Sequence, residues 1–296
     1  MGDVTFTVDG RTVTAAEGST ILQACGGPGT ATDDGIPTLC YGDTIDPRNA
    51  CRLCVVEVEG SRPLVPACSR PVETGMVVHT RSERVDHSRR MVLEFLGSSV
   101  DLSLTAHVAG WNERYGADPG RFATAADGAE AATVDQPVKI DNDLYVRDYA
   151  KCILCYQCVD ACGEQWQHSF VIDIAGRGFD ARVSTEHDVA LPDSACVYCG
   201  NCIQVCPTGA LMATSEYDLR TAGEWDEGRQ TATDTICGFC GVGCQLTLHV
   251  QDDAIVKVTS PPESTITHGN LCVKGRFGFQ HAQRLPDPSV RQGSDP

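Results

Sequence analysis

The sequence predicts a modular α+β protein whose small domains depend on bound metal as much as on apolar cores. Three observations lead to this fold class. The 296 residues include 17 cysteines, aromatic residues make up only 6% of the chain, and short alternating strand patterns are interleaved with helical ones. So few large side chains cannot build several self-sufficient cores, whereas metal binding supplies folding free energy that a small core lacks.

The cysteines fall into four groups of four, which predicts four four-thiolate metal sites. The groups are Cys40, Cys51, Cys54 and Cys68; Cys152, Cys155, Cys158 and Cys162; Cys196, Cys199, Cys202 and Cys206; and Cys237, Cys240, Cys244 and Cys272. Only Cys25 remains, and we expect it to be a buried small thiol. The amino terminus, MGDVTFTVDGRTV, lacks the basic and apolar regions of an export signal. We therefore expect a cytoplasmic location, where so many thiols indicate metal rather than disulfides.

The second and third groups share the spacing C-x2-C-x2-C-x3-C, which is the strongest signal in the chain. Three closely spaced thiolates can bind three corners of an iron–sulfur cube, and in two-cluster ferredoxins the fourth Cys ligates the other cluster. The sequence therefore predicts two [4Fe–4S] clusters with crossed ligands. One is assigned to Cys152, Cys155, Cys158 and Cys206, and the other to Cys162, Cys196, Cys199 and Cys202. The alternative is zinc, whose sites usually use two cysteine pairs with a longer gap.

The first group follows a predicted β-hairpin. VTFTVDGRTVTA alternates apolar and polar residues around an Asp9-Gly10 turn, Ser19 is the expected N-cap of a short helix, and VVEVEG predicts a further strand. A small β-rich domain with a long cysteine-bearing loop suits a [2Fe–2S] cluster. Its expected ligands are Cys40, Cys51, Cys54 and Cys68, although C-x2-C alone also fits zinc.

The fourth group surrounds another predicted hairpin, which turns at Asp252-Asp253. Three cysteines lie in the glycine-rich loop TICGFCGVGC before the hairpin, and the fourth follows it in CVKGRFG. This arrangement predicts a third [4Fe–4S] cluster held by Cys237, Cys240, Cys244 and Cys272. Judged in isolation, the set also fits zinc.

Together these motifs resemble known families. Residues 1–80 and 150–215, through CRLCVVEVEG, CILCYQCVDAC and SACVYCGNCIQVCPTGAL, resemble the large iron–sulfur subunit of respiratory complex I and its relatives. Those relatives include the small diaphorase subunits of NAD-linked hydrogenases and the amino-terminal half of NAD-dependent formate dehydrogenase alpha subunits. Residues 235–280 resemble the opening of the molybdopterin oxidoreductases, most closely formate dehydrogenases. The resemblance implies that Lys274 is an electron relay between cluster and pterin; the alternative is an exposed lysine near a negative cluster.

The sequence departs from these families in two places. Relatives carry a further cluster bound by one His and three Cys, but the segment 69–151 contains no Cys. His87 and His107 remain, one imidazole cannot hold a cubane, and we expect that cluster to be absent and the segment to survive as helical packing. Only residues 273–296 follow the last ligand, and their end, RLPDPSVRQGSDP, is polar. We therefore expect the catalytic domain to be a separate chain.

Four segments are expected from these patterns: a β-grasp [2Fe–2S] ferredoxin domain at 1–80, a helical linker at 81–138, a two-[4Fe–4S] ferredoxin-like domain at 139–222 and a small β-rich [4Fe–4S] module at 230–296. The resemblance implies an electron-transfer subunit of an NAD-linked molybdenum or tungsten formate dehydrogenase. Its expected partners are a chain with a bis-pyranopterin centre and a flavin (FMN) subunit that reduces NAD. The alternatives are a relay subunit of an NAD-linked nickel–iron hydrogenase and a zinc-bearing structural scaffold.

The charge of the chain agrees with a subunit of a complex. Asp and Glu number 40 against 23 Lys and Arg, giving a formal net charge of −17. This balance argues against binding to nucleic acid or to an anionic membrane surface. Four loaded clusters would add roughly −8, so we expect positive partner surfaces or buried cations next to them.

Overall fold

The computed structural model describes residues 2–29, 35–42, 44–122 and 136–284. The first module is a five-stranded mixed sheet in the order β2-β1-β7-β5-β6, with a parallel two-stranded sheet, β3 and β4, and a short helix. Its elements are β1 (Asp3–Val8), β2 (Arg11–Ala16), α1 (Ile21–Ala24), β3 (Pro28–Gly29), β4 (Ile36–Pro37), β5 (Val55–Val58), β6 (Val65–Pro66) and β7 (Val77–His79). The predicted hairpin is confirmed, since Val8 pairs with Arg11 and the turn residues Asp9 and Gly10 have φ of 47° and 78°.

The helix α1 begins one residue later than the sequence indicated. Thr20, not Ser19, is the N-cap, because its hydroxyl accepts from the Gln23 N–H while the Gln23 side chain accepts from the Thr20 N–H. The helix buries Ile21 and Leu22 completely against the sheet. This apolar contact completes the core of the first module.

Two helices follow, α2 (Glu83–Gly97) and α3 (Val108–Tyr115). The predicted helical packing is confirmed, although residues 98–107 between the helices are not helical. Leu93, Trp111 and Tyr115 share one core with the cysteine loop of the first module and with Ile153 and Cys155 of the next. The helices thus join the first module to the second. Residues 123–135, near the end of the expected linker at 81–138, lie outside the described residues.

The second module consists of two small antiparallel sheets, β8 with β11 and β9 with β10, around short helices. Its elements are β8 (Tyr145–Arg147), α4 (Gln157–Cys162), β9 (Ile172–Ala175), β10 (Arg182–Thr185), α5 (Asn201–Gln204), β11 (Leu211–Ala213) and α6 (Thr214–Ala222). Six of the eight cysteines of the two central groups lie within or beside its core.

The third module is a three-stranded antiparallel sheet with one helix. It contains β12 (Thr231–Ile236), β13 (Gln245–Gln251), β14 (Ala254–Thr259) and α7 (Val273–Arg284). The turn at Asp252-Asp253 is confirmed, with φ of 51° and 62°.

The third module is docked on the second through the start of α7. Phe277 enters the core of the second module. The buried Asn201 side chain of α5 accepts from the Leu271 N–H at 3.0 Å and from Arg276 at 3.2 Å. The two modules therefore share a polar and apolar interface. Within the described ranges, no helix is long and apolar enough to cross a membrane.

Candidate metal centres

The structure brings the four cysteines of the first group into one buried site. Each is 9% exposed or less, and the Cys51 N–H donates to Cys40 Sγ at 3.4 Å. Asn49 and Arg52, with φ of 57° and 60°, turn the loop so that its thiols face one side. In the metal-free site, a hydrogen bond from the Cys40 thiol lowers the pKa of Cys51 to about 6. The pKa of Cys54 is likewise lowered by the neighbouring Cys68 thiol. The same hydrogen bonds raise the pKa values of the partner thiols Cys40 and Cys68, so the four thiols lie close enough to form two hydrogen-bonded pairs.

The central cysteines form two crossed sets. One cavity is lined by Cys152, Cys155, Cys158 and Cys206. A second cavity is lined by Cys162, Cys196, Cys199 and Cys202. The crossing arises because Cys158 and Cys162 lie one turn apart on α4, roughly 6 Å along its axis, and so reach adjacent cavities. We call the first set the proximal site, because its Cys155 shares a core with Cys40 and Cys51 of the first module, and the second set the distal site.

Backbone conformation aims donors at both central sites. Leu154 and Tyr156 in the proximal loop have φ of 52° and 69°, and Tyr198 in the distal loop has φ of 55°. The Leu154 N–H donates to Cys152 Sγ at 3.4 Å, and the Val171 N–H donates to Cys162 Sγ at 3.3 Å. Amides directed at sulfur are a means by which a protein stabilises thiolate ligands and tunes a cluster.

The fourth set is assembled at the surface. Cys237 is buried and Cys244 is half-buried, whereas Cys240 and Cys272 are exposed. The pKa of Cys244 is raised, first by burial and then by the neighbouring thiolates of the same set, which places all four together. Lys274 is exposed in the first turn of α7, two residues after Cys272.

The central donor sets suit polynuclear clusters, because each of the two cavities is bordered by four thiols. Polar atoms next to these cavities also lack partners: Arg147 Nε and Nη1 at the distal site and the Tyr149 hydroxyl at the proximal site. Cluster sulfides would supply the acceptors that these buried donors need.

The first site lies next to the proximal site. Cys40, Cys51 and Cys155 belong to one buried core. Burial is the main cause of the raised pKa of Cys155, and nearby thiolates, Cys51 among them, raise it further. His87 is exposed on α2 and contacts Arg90, while the His107 ring packs on Trp111. Other residues of the helical segment pack in the core that the first and proximal sites share.

An ion pair links the cysteine loop of the first module to α4 of the second module. Arg48 donates from Nε to Asp160 at 2.7 Å and pairs with its second oxygen through Nη2. Beside it, the Asp46 N–H donates to Gln165 at 2.8 Å, and the Trp166 indole donates to the Thr44 carbonyl at 3.1 Å.

Removing Arg48 is expected to weaken this interface. Asp160 is only 3% exposed, so Arg48→Ala leaves a buried carboxylate unpaired, at a cost of about 1–3 kcal/mol. Arg70→Ala is the matched control, since Arg70 and Glu73 are both exposed and their pair contributes about 0–1 kcal/mol. Denaturant unfolding of the loaded chain, followed by cluster absorbance, measures both. Equal effects of the two variants would contradict the role of this ion pair.

Sequence reasoning missed four side chains at the central sites: Tyr145, Arg147, Tyr149 and Arg276. The Tyr145 hydroxyl lies 2.9 Å from Cys196 Sγ. Alternation in YVRDY, directly before the proximal cysteines, was the available signal, because residues two apart on a strand share a face. Arg276 had no such signal, since its burial depends on docking between modules. Cys25 is half-buried at the end of α1, and burial raises its pKa to about 11.

Three family models match the chain in the predicted order. A 2Fe-2S iron-sulfur cluster binding domain matches residues 2–83, a 4Fe-4S dicluster domain matches 151–210, and a molybdopterin oxidoreductase Fe4S4 domain matches 230–284. The predicted fold class, an α+β succession of these domain types, is therefore confirmed.

Curated relatives resemble the chain along almost its whole length. The NADPH-Fe(3+) oxidoreductase subunit alpha of Geobacter sulfurreducens is 33% identical over 303 residues, covering 97% of this chain and 33% of the relative. The mitochondrial NADH-ubiquinone oxidoreductase 78 kDa subunit of Candida albicans is 31% identical, covering 99% and 39%. A putative formate dehydrogenase of Staphylococcus haemolyticus is 28% identical, covering 98% and 32%. The predicted resemblance is confirmed, and the chain spans between 32% and 39% of the length of these relatives.

One solved structure is similar in fold as well. It is the crystal structure of an NAD+-reducing [NiFe]-hydrogenase in the H2-reduced state, with a TM-score of 0.53 and 25% identity. The match covers 71% of this chain and 87% of that chain.

Proposed function

We propose that this chain, which carries a 2Fe–2S domain, a 4Fe–4S dicluster domain and a molybdopterin-oxidoreductase-type Fe4S4 domain in succession, is the electron-transfer subunit of an NAD-linked formate dehydrogenase complex. It would connect a molybdenum or tungsten bis-pyranopterin centre in one partner with an FMN subunit in another. The complex would oxidise formate or, in reverse, reduce carbon dioxide. This chain itself would carry no substrate-converting site.

The observation that carries the proposal is the continuous series of four thiolate sites. Cys51 of the first site shares a core with Cys155 of the proximal site, and Cys202 of the distal site packs against the core that contains Cys158. The distal site in turn lies beside α7, whose first residues follow Cys272. A relay along this series needs no further cluster bound by one His and three Cys, because the first and proximal sites are already neighbours.

When loaded, these sites would provide one-electron redox centres: one [2Fe–2S] cluster at the first site and three [4Fe–4S] clusters at the others. The surface position of Cys240 and Cys272 supports contact with a catalytic partner, and Lys274 would stand between that partner's pterin and the fourth cluster. We propose domain boundaries at 1–80, 81–138, 139–222 and 230–296, and a cytoplasmic location.

Elemental analysis of the anaerobically purified complex tests the proposal. We expect about 14 Fe per copy of this chain, in addition to any iron in its partners, together with Mo or W. Iron with nickel and neither Mo nor W would replace the proposal with a hydrogenase relay. Zinc without iron would exclude electron transfer.

The hydrogenase relay is the second candidate, and the similarity to the NAD+-reducing [NiFe]-hydrogenase structure favours it. That match covers 71% of the chain, whereas the match to the molybdopterin oxidoreductase Fe4S4 domain at 230–284 favours a pterin-containing partner. We therefore place the formate dehydrogenase proposal first. The zinc scaffold is opposed by the matches to three iron–sulfur domain models.

A further inference from the structure

The two central sites have different polar surroundings. Tyr145 and Arg147 of β8 line the distal cavity, and Tyr149, two residues further along the chain, lines the proximal cavity. The Tyr145 hydroxyl lies 2.9 Å from the distal ligand Cys196. Tyr145 also stacks on Phe277 of α7, with ring centroids 5.9 Å apart. The strand β8 and the turn that follows it therefore present polar groups to both sites.

Arg147 brings a buried positive charge to the distal site. It is 1% exposed and pairs with Asp141 through Nη2. Its Nε and Nη1 atoms find no hydrogen-bond partner among the described residues, and the side chain lines the distal cavity. A buried donor without an acceptor is costly, so an anionic group in the cavity would satisfy it.

Arg276 brings a second buried charge to the same site, from the third module. It is 4% exposed and donates to the Val258 carbonyl at 3.1 Å, to Asn201 Oδ1 at 3.2 Å and to the Cys199 carbonyl at 3.5 Å, and also to the Gln204 side chain. All of these partners are neutral. Burial lowers the pKa of Arg276 to about 10, while the Cys199 and Cys202 thiolates favour its charged form, so it is protonated at neutral pH. The negative charge opposite this guanidinium is the distal thiolate set.

Cations near the proximal site are already paired with carboxylates. Lys151, next to the proximal ligand Cys152, pairs with Asp148 at 2.5 Å and with Asp101 at 3.0 Å. Arg48 pairs with Asp160, two residues after Cys158. Their positive charge is therefore largely neutralised locally, as that of Arg147 is by Asp141, whereas Arg276 has no carboxylate partner among the described residues.

We propose that the distal cluster has a higher reduction potential than the proximal cluster, because Arg276 and the Tyr145 hydroxyl stabilise its reduced form. Reduction adds one electron to a cluster, and nearby cations and donors to sulfur favour the more negative state. The third module thus sets the potential of a site in the second module, through Arg276. This inference rests on the cluster ligation proposed above.

Redox titration of the anaerobically purified, loaded chain, monitored by electron paramagnetic resonance, tests the inference. Arg276→Gln is expected to lower the midpoint of the higher-potential central cluster. The reduced-to-oxidised ratio of that cluster at a fixed potential should fall about tenfold, which is about 59 mV for a one-electron couple. Arg276→Lys should retain most of the wild-type midpoint, because it keeps the charge while losing the forked hydrogen bonds.

Two tyrosine variants provide a matched pair that preserves packing. Tyr145→Phe should lower the same midpoint as Arg276→Gln, by a smaller amount. Tyr149→Phe should shift that midpoint less than Tyr145→Phe does, because the Tyr149 hydroxyl lines the proximal cavity.

Several results would overturn the inference. One is that Arg276→Gln or Tyr145→Phe shifts the midpoint of the lower-potential central cluster. Another is that Arg276→Gln and Arg276→Lys shift the higher midpoint equally. The third is that all variants keep their full iron content and none shifts either midpoint. A purely structural role would lower unfolding midpoints in both Arg276 variants without separating their potentials. Wild-type protein without iron would overturn the proposed function itself, so the two failures are distinguishable.

Discussion

Cys206→Ala is expected to abolish the proximal cluster, although Cys206 belongs by sequence to the distal group. The structure places its thiol in the proximal cavity with Cys152, Cys155 and Cys158. A cubane that loses one of four thiolates is left with an open iron, so we expect the loss of about 4 of about 14 Fe per chain. Iron analysis and the resonance signal of the proximal cluster measure this loss.

Double variants separate crossed ligation from ligation within each sequence group. Adding Cys152→Ala to Cys206→Ala should remove no further iron, because both residues serve one cluster. Adding Cys196→Ala should remove about four more Fe, because that residue serves the other. Cys25→Ala is the control and should retain full iron, since Cys25 lies in the first module's core, outside the four sets. The opposite pattern of additivity would disprove the crossing.

The second large effect is expected at Glu216, which connects α6 to the third module. Its side chain is 7% exposed and pairs with Arg220 at 2.8 Å and with Lys257 of β14 at 2.9 Å. Glu216→Ala takes this carboxylate from Lys257 and leaves Arg220 with only the exposed Glu227, so the variant should cost about 3 kcal/mol of stability. Denaturant unfolding of the loaded chain gives this value.

Glu227→Ala is the matched control, because Glu227 pairs with the same Arg220 but is 74% exposed. It should cost about 0–1 kcal/mol. If the two variants lose similar amounts of unfolding free energy, the burial of Glu216 does not contribute to stability.

The effect of Glu216 should depend on pH with a defined sign. Burial raises the pKa of Glu216, but Lys257 and Arg220 together lower it by more than burial raises it. The pKa of Glu216 in the folded state is therefore depressed. Such a group stabilises the fold fully above its unfolded pKa, about 4.3, and loses this contribution as the pH falls through the lower folded value. The difference between wild type and Glu216→Ala should therefore be constant near neutral pH and shrink below about pH 4.

Local patterns in the sequence predicted much of the fold and of the sites. The turns at Asp9-Gly10 and Asp252-Asp253 follow from alternation and turn chemistry, both of which act over a few residues. The grouping of cysteines predicted which thiols meet. The N-cap was displaced from Ser19 to Thr20, because both residues can cap and only Thr20 has Gln23 three positions later for a capping box.

What the sequence did not reveal depends on contacts between distant segments. Arg276 is buried only because α7 docks on α5, and periodicity in VKGRFGF does not indicate this partner. The contact of Cys51 with Cys155 likewise required the packing of α2 and α3. Related families have an extra cluster in this region, bound by one His and three Cys, so the sequence did not indicate how electrons would pass without it. The first and proximal sites share one core, and a direct transfer between them would need no extra cluster.

The interface at Asn201 links two of the metal centres mechanically. Asn201 lies between Cys199 and Cys202, and its side chain accepts from both the Leu271 N–H and Arg276. Cys272 directly follows Leu271, so one side chain beside two distal ligands also positions a ligand of the fourth site. A substitution at Asn201 is therefore expected to disturb both centres together.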